Sequence, residues 1–177
     1  MHCVLKNSVR KKQSPLVTFI DTHCHLEMSE FDEDRDAVIQ RAGEAGVEAV
    51  ITVGSDLKGN SGSLRLSEKY DFIYSSVGIH PHDAKDFTEE VYKQIKKWAA
   101  SSSKVVAIGE TGLDYHYDNS PHDIQKEVFK KHLLLAKELA LPVIIHSREA
   151  KKDTLEILED SGINRGVLHC FSGDMDM

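Results

Sequence analysis

Leu16-Val17-Thr18-Phe19-Ile20-Asp21-Thr22-His23-Cys24-His25 is the stretch that decides the fold. An apolar, β-rich run ends directly on side chains that bind metal or phosphate. The same join recurs at Gly78-Ile79-His80-Pro81-His82, Gly109-Glu110-Thr111-Gly112-Leu113-Asp114, His146-Ser147-Arg148 and His169-Cys170, with a quieter turn at Val53-Gly54-Ser55-Asp56. A polypeptide that delivers such groups from successive strand ends is building one site from many segments.

Working outward, the apolar runs predict strands at 16–20, 47–53, 72–79, 105–108, 142–145 and 166–168. Between them, apolar residues at helical spacing predict helices at 32–45, 61–70, 89–100, 121–139 and 150–161. The fourth carries the clearest start signals: Ser120 at the N-cap, Pro121 at the first helical position and Asp123 in the first turn. Its apolar face is expected to include Val128, Phe129, Leu133, Leu134 and Ala136. Gly46 and Gly162 fall just past helix ends, where a left-handed residue is wanted.

Near-continuous apolar strands alternating with helices indicate a parallel α/β sheet buried on both faces. No G-x-G-x-x-G follows the first strand, which lowers a dinucleotide-binding sheet. Functional groups at the carboxyl ends of strands 1, 3, 4, 5 and 6 favour a TIM-type (β/α) barrel, whose strand ends converge on one mouth. A complete barrel has eight βα units, and this chain stops just after the sixth strand. The expectation is a partial barrel over residues 16–177, about two units short, behind a loosely ordered N-terminal extension at 1–15. The basic residues of that extension (Lys6, Arg10, Lys11, Lys12) have a nucleic-acid-binding tail as their sharper alternative.

The bulk numbers narrow the class. At 177 residues, 40% hydrophobic and 29% charged, the chain is expected to be one globular domain. No apolar run approaches the ~20 residues of a membrane span, and no apolar core follows the basic N-terminus, so no membrane partner or secretory signal is expected. A net charge of -7 argues against a module that grips duplex DNA by charge alone. It leaves open an enzyme that meets phosphates through bound cations. Three scattered cysteines (Cys3, Cys24, Cys170) make no disulfide framework and suit a reducing cytoplasm.

His23 and His25 stand two apart on a strand, so both face the mouth and can chelate one ion, while Cys24 turns away into packing. By the same alternation Cys170 turns away from the face of His169. Asp21 is placed behind the histidines as a supporting carboxylate. Glu110 at the end of an apolar strand is costly to bury unless paired or metal-bound, and a carboxylate bridging two cations satisfies it. His146 and His169 complete the metal candidates. Each alone is more simply a hydrogen-bonded structural histidine; together with Glu110 at separate strand ends they make a site. His80 and His82 are candidates to hold a substrate phosphate or shuttle a proton. Arg148 can grip a phosphate bidentately or pair with a carboxylate. Glu110 and His80 are the catalytic candidates. Asp114 and Tyr115 could line the pocket. His116, His122 and His132 receive no role. The donor types suit Zn²⁺ or Mn²⁺ ahead of Mg²⁺. Two ions sharing a carboxylate can activate a water and stabilise an in-line leaving oxygen.

At these residues the chain resembles the TatD family of metal-dependent deoxyribonucleases. The resemblance rests on residues 19–26 (Phe-Ile-Asp-Thr-His-Cys-His-Leu), 78–82, 109–115, 141–148 (Leu-Pro-Val-Ile-Ile-His-Ser-Arg) and 169–173 (His-Cys-Phe-Ser-Gly), five motifs in order. It implies a (β/α)₈ barrel, DNA as substrate and divalent metal as cofactor, two ions of Mg, Mn or Zn per site. It further implies one ion held by His23, His25 and Glu110, a second by Glu110, His146 and His169, and His80 facing the substrate phosphate. Glu27 stands where the family more often has Asp, and Lys152 where an acidic residue is usual. The family's metal-binding aspartate of the eighth strand has no counterpart here.

Three readings follow. The first is a metal-dependent hydrolase of the TatD type, a deoxyribonuclease impaired by the early end of the chain. The second is an amidohydrolase or deacylase on the same barrel. Many amidohydrolases bridge their metals with a modified lysine at the end of strand 4, where this chain has Glu110. The third is a truncated, catalytically silent chain, expected to survive only as a binding partner or a damaged gene product.

Overall fold

The computed structural model describes residues 18–173. The expected extension at 1–15 lies outside them. Six parallel strands, β1 (Phe19–Cys24), β2 (Val47–Val53), β3 (Ile73–Val77), β4 (Val105–Asp114), β5 (Val143–Arg148) and β6 (Gly166–Leu168), lie in the order β1-β2-β3-β4-β5-β6. Each pairs only with its sequence neighbours. A doubly wound sheet reverses its order part-way; an unbroken sequential order of parallel strands is how a barrel is laid down. The result is a curled, six-stranded partial barrel, as the strand ends implied.

Five helices cross between the strands: α1 (Arg35–Glu44), α2 (Leu57–Lys69), α3 (Glu89–Ser101), α4 (His122–Leu139) and α5 (Lys151–Ser161). Two 3-10 turns, Ser29–Phe31 and Pro81–Asp86, follow β1 and β3. Among the described residues no helix is long and apolar enough to cross a membrane. The main core lies between β3–β5 and the helices outside them, built on Val77, Ile95, Ile108, Phe129, Leu133, Leu135 and Val143, all fully buried. A second cluster (Leu26, Ile39, Val50, Leu66, Ile73) fixes α1 and α2 against β2 and β3. Cys24 packs there as expected, its thiol pushed up to about 12 by burial and then by Asp21.

Several boundaries move, each for a local reason. β4 continues six residues past Ile108, so Glu110 and Asp114 sit within the strand. Gly109 (φ +132°) and Gly112 (φ +139°) let β4 run tight against β5. A Cβ on Gly112 would lie 2.0 Å from the His146 carbonyl oxygen, and one on Gly109 2.4 Å from that of Ile144. α2 begins at Leu57, ahead of the expected start at 61, because the Asp56 side chain accepts from the Gly59 N–H at 2.6 Å. α4 starts one residue later than its sequence signals. Ser120 does not cap it; its hydroxyl accepts from the Lys85 N–H and donates to the His82 carbonyl, tying the loop to the turn after β3. Leu134 is 64% exposed, and the buried face of α4 runs through Leu135 instead. Cys170 is exposed in a turn past the end of β6, so strand alternation does not govern it.

Candidate metal centre

The carboxyl ends of the strands bring His23, His80, Glu110, Asp114, His146 and His169 into one cluster. Glu110 is its hub. Its backbone N–H donates to the Gly54 carbonyl, and the His80 N–H donates to Ser55, so the quiet turn after β2 holds both residues. Glu110 is 4% exposed. Oε2 lies 3.3 Å from His23 Nε2; Oε1 lies 3.1 Å from His146 Nδ1 and 3.9 Å from His80 Nε2. Burial would raise its pKa, but His146 and His23 outweigh that and hold it well below the usual carboxylate range. Two groups of donors share this one carboxylate, His23–Glu110–His169 and His80–Glu110–His146, each with its ligand atoms within 4.8 Å of one another.

Asp114 is 1% exposed and organises the far side. Oδ1 accepts from the N–H groups of His116 (3.0 Å) and Tyr117 (3.1 Å). Oδ2 accepts from Nε2 of His82 (3.0 Å) and of His146 (2.9 Å). Although burial pushes it up, the Tyr117 N–H and the two imidazoles bring its pKa down to about 2. The buried side chain of Gln125 clamps its backbone, accepting from the Asp114 N–H at 2.8 Å and donating to its carbonyl at 3.0 Å.

These bonds assign the tautomers. With Asp114 ionised, His146 must carry its proton on Nε2. A neutral His146 then turns the lone pair of Nδ1 at Glu110 Oε1, acceptor against acceptor at 3.1 Å. Only a cation or an added proton makes that contact favourable. Burial works against the added proton, yet the carboxylates of Glu110 and Asp114 leave the His146 pKa raised. On the other side, His23 Nε2 is buried with no hydrogen-bond partner although it lies beside Glu110 Oε2. An orphaned buried nitrogen and an acceptor–acceptor contact on opposite oxygens of one glutamate are what bound cations resolve, and the donors present fit them.

His25 lies beside these groups, its ring centroid 5.1 Å from that of His23. Its Nδ1 faces the Val53 carbonyl at 2.9 Å and Glu27 Oε1 at 3.3 Å, leaving Nε2 as the bare nitrogen. Glu27 is fixed in turn by the Thr52 hydroxyl at 2.6 Å. The structure thus pairs His169 with His23, their rings stacked at 3.4 Å, where the resemblance pairs His169 with His146. His80 is different in kind. Its Nδ1 accepts from the His82 N–H at 3.2 Å, so the proton sits on Nε2, which points into the site as a donor. Burial, with Glu110 only partly opposing, lowers its pKa to about 4 and keeps it neutral.

Asp21 is exposed and accepts from the His23 N–H at 3.1 Å; it supports backbone, with no hydrogen bond to an imidazole among the described residues. Arg148 lies at the rim with its guanidinium 4.6 Å above the Tyr117 ring. Tyr115 points away to Asp153. Asp114 does more than line the pocket, and the alternation Glu110, Gly112, Asp114 along an extended strand is its signal in the sequence. His132, given no role, is fully buried: Nδ1 donates to the Val128 carbonyl and Nε2 accepts from the Ile79 N–H, bracing the strand end that carries His80.

A parallel barrel with a histidine–carboxylate centre at its strand ends defines the class of metal-dependent barrel hydrolases. Residues 20–177 match the family model described as TatD related DNase, and the chain belongs to the TatD family. It is 48% identical over 159 residues to the uncharacterized metal-dependent hydrolase YabD of Bacillus subtilis, covering 89% of this chain and 62% of that one. It is 37% identical over 155 residues to the 3'-5' ssDNA/RNA exonuclease TatD of Cronobacter sakazakii, covering 86% and 59%. The structure of YJJV, a TatD homolog from Escherichia coli, superposes with a TM-score of 0.83 at 34% identity, covering 89% of this chain and 62% of that one. The chain therefore spans about three fifths of the length of the curated relatives it matches.

Proposed function

We propose that the chain carries the metal centre of a nuclease that hydrolyses phosphodiester bonds in single-stranded DNA. The observation that supports this most is Glu110, a single buried carboxylate with its two oxygens directed at two different sets of imidazoles. That is the disposition of a bridging ligand between two divalent ions. His23, His25 and His169 would serve the Oε2 side and His146 the Oε1 side. Bound metal would supply Lewis-acid polarisation of the phosphate and an ionised water.

The chain's own residues do the rest. His80, neutral and protonated on Nε2, donates a hydrogen bond to a phosphate oxygen and needs no proton transfer to do so. Asp114 holds His146 in the tautomer that leaves Nδ1 bare. His82, bonded to the same carboxylate oxygen, lines the rim beside the phosphate. Arg148 offers its guanidinium to the nucleic-acid backbone. The relatives named as single-strand exonucleases are consistent with this substrate class.

The test is release of nucleotides from single-stranded DNA with added Mg²⁺ or Mn²⁺, comparing the full chain with Glu110→Ala. The reading expects metal-dependent release that the variant lacks. Release that is indifferent to Glu110→Ala would sink the site assignment.

A further inference from the structure

Tyr117 is an unusual surface aromatic: 53% exposed, yet held on several sides. Its N–H is bonded to Asp114. Its ring meets His116 edge-on (centroids 4.6 Å apart, planes at 85°) and His82 edge-on (5.4 Å, 87°). The Arg148 guanidinium lies over the ring at 4.6 Å. Arg148 makes no ion pair or side-chain hydrogen bond with any described residue, and the neighbouring Glu149 is engaged by His116 at 2.8 Å. At an exposed site the stack of guanidinium on ring stabilises the free protein only weakly. Both groups suit a ligand with a flat π face and an adjoining phosphate.

The position fits the same ligand. From Tyr117 the contacts run through His82 to His80, whose centroids are 4.4 Å apart, and from His80 Nε2 to Glu110 at 3.9 Å. A nucleotide at Tyr117 is therefore a close neighbour of a phosphate at the Glu110 centre. We propose that Tyr117 and Arg148 form a nucleotide subsite, with Tyr117 stacking an unpaired base and Arg148 binding the adjacent phosphate. This rests on the nuclease reading above and specifies how a single strand is chosen. A base inside a duplex has both faces covered by its neighbours and cannot stack on Tyr117. A net charge of -7 argues against holding a duplex by charge alone.

The experiment is fluorescence anisotropy of the full chain in EDTA, so that nothing is cleaved. The probes are a short labelled oligothymidylate and an abasic oligodeoxynucleotide of the same length. Tyr117→Ala is expected to weaken oligothymidylate binding between about fivefold and a hundredfold, the range for losing one stacked base. It should leave abasic binding unchanged, and Tyr117→Phe should bind as wild type does. Arg148→Ala should weaken both probes equally and reduce the salt slope by about one. Wild-type tightness for oligothymidylate in Tyr117→Ala, or equal losses on both probes, would overturn the stacking subsite while leaving the nuclease reading in place. A wild-type chain that binds neither probe would overturn the subsite; the nuclease reading, which meets phosphate through metal that EDTA removes, stands or falls on the cleavage assay above.

Discussion

Replacing Asp114 by asparagine removes one charge and almost no volume, and its consequences can be worked through atom by atom. The carboxylate accepts four hydrogen bonds, two on each oxygen. An asparagine has one oxygen. If that oxygen stays with the His116 and Tyr117 N–H groups, the new NH₂ faces Nε2 of His82 and His146. Both rings must then present Nε2 as acceptor and move their protons to Nδ1. For His146 that places an N–H against Glu110 Oε1, a comfortable hydrogen bond at 3.1 Å that closes the nitrogen to metal. The expected cost in metal affinity is about 10- to 100-fold, the usual effect of removing the partner that orients a ligating histidine. Four charge-assisted bonds are exchanged for neutral ones while His146 gains one to Glu110, so stability should fall by about 2 kcal/mol. Isothermal titration with Mn²⁺ and with Zn²⁺, beside a urea melt, reads both quantities. An Asp114→Asn variant that keeps wild-type metal affinity with an intact circular dichroism spectrum would refute the tautomer argument.

Three further outcomes follow from the same geometry. Gly112→Ala places a methyl 2.0 Å from the His146 carbonyl oxygen at a φ of +139°; urea unfolding should show a loss of more than ~3 kcal/mol, or no folded protein. His132→Leu leaves the buried Ile79 N–H without its acceptor and should cost about 1–3 kcal/mol in the same assay. Burial lowers the His132 pKa from 6.5 to about 4, opposed only by its bond to the Val128 carbonyl. The unfolded chain therefore binds more protons between those values, and stability rises with pH across that window. Unfolding free energies measured from pH 4 to 7 should rise less steeply in His132→Leu than in wild type.

The architecture was legible because parallel strands buried on both faces announce themselves as apolar runs, and every strand end that matters carries a histidine or a carboxylate. What the sequence concealed lay at the glycines. The strand expected to end at Ile108 runs on, because Gly109 and Gly112 each permit a close approach to β5 that no side chain would tolerate, and it carries Asp114 into the centre. Gly59, Asn60 and Gly62 likewise hid the first turns of α2, since their low helix propensity is overridden by packing. A Cβ on Gly62 would meet that of Glu27 at 2.8 Å, and Asn60 spends both ends of its amide on the backbone of Gly78. The donor types that meet around Glu110 were readable residue by residue. Their partition around Glu110, and the division between nitrogens that are bare and nitrogens that donate, depends on bonds to Asp114, Val53 and the His82 N–H that no spacing encodes.

The central claim is that Glu110 is one carboxylate shared by two metal ions. Electron paramagnetic resonance of the Mn²⁺-loaded chain addresses it directly, because two Mn²⁺ ions joined by a carboxylate give an exchange-coupled spectrum. The wild-type chain should show that coupling at saturation, and Glu110→Ala should lose it while keeping its fold. Isolated six-line Mn²⁺ signals at saturation in the wild type, unchanged by Glu110→Ala, would contradict the account.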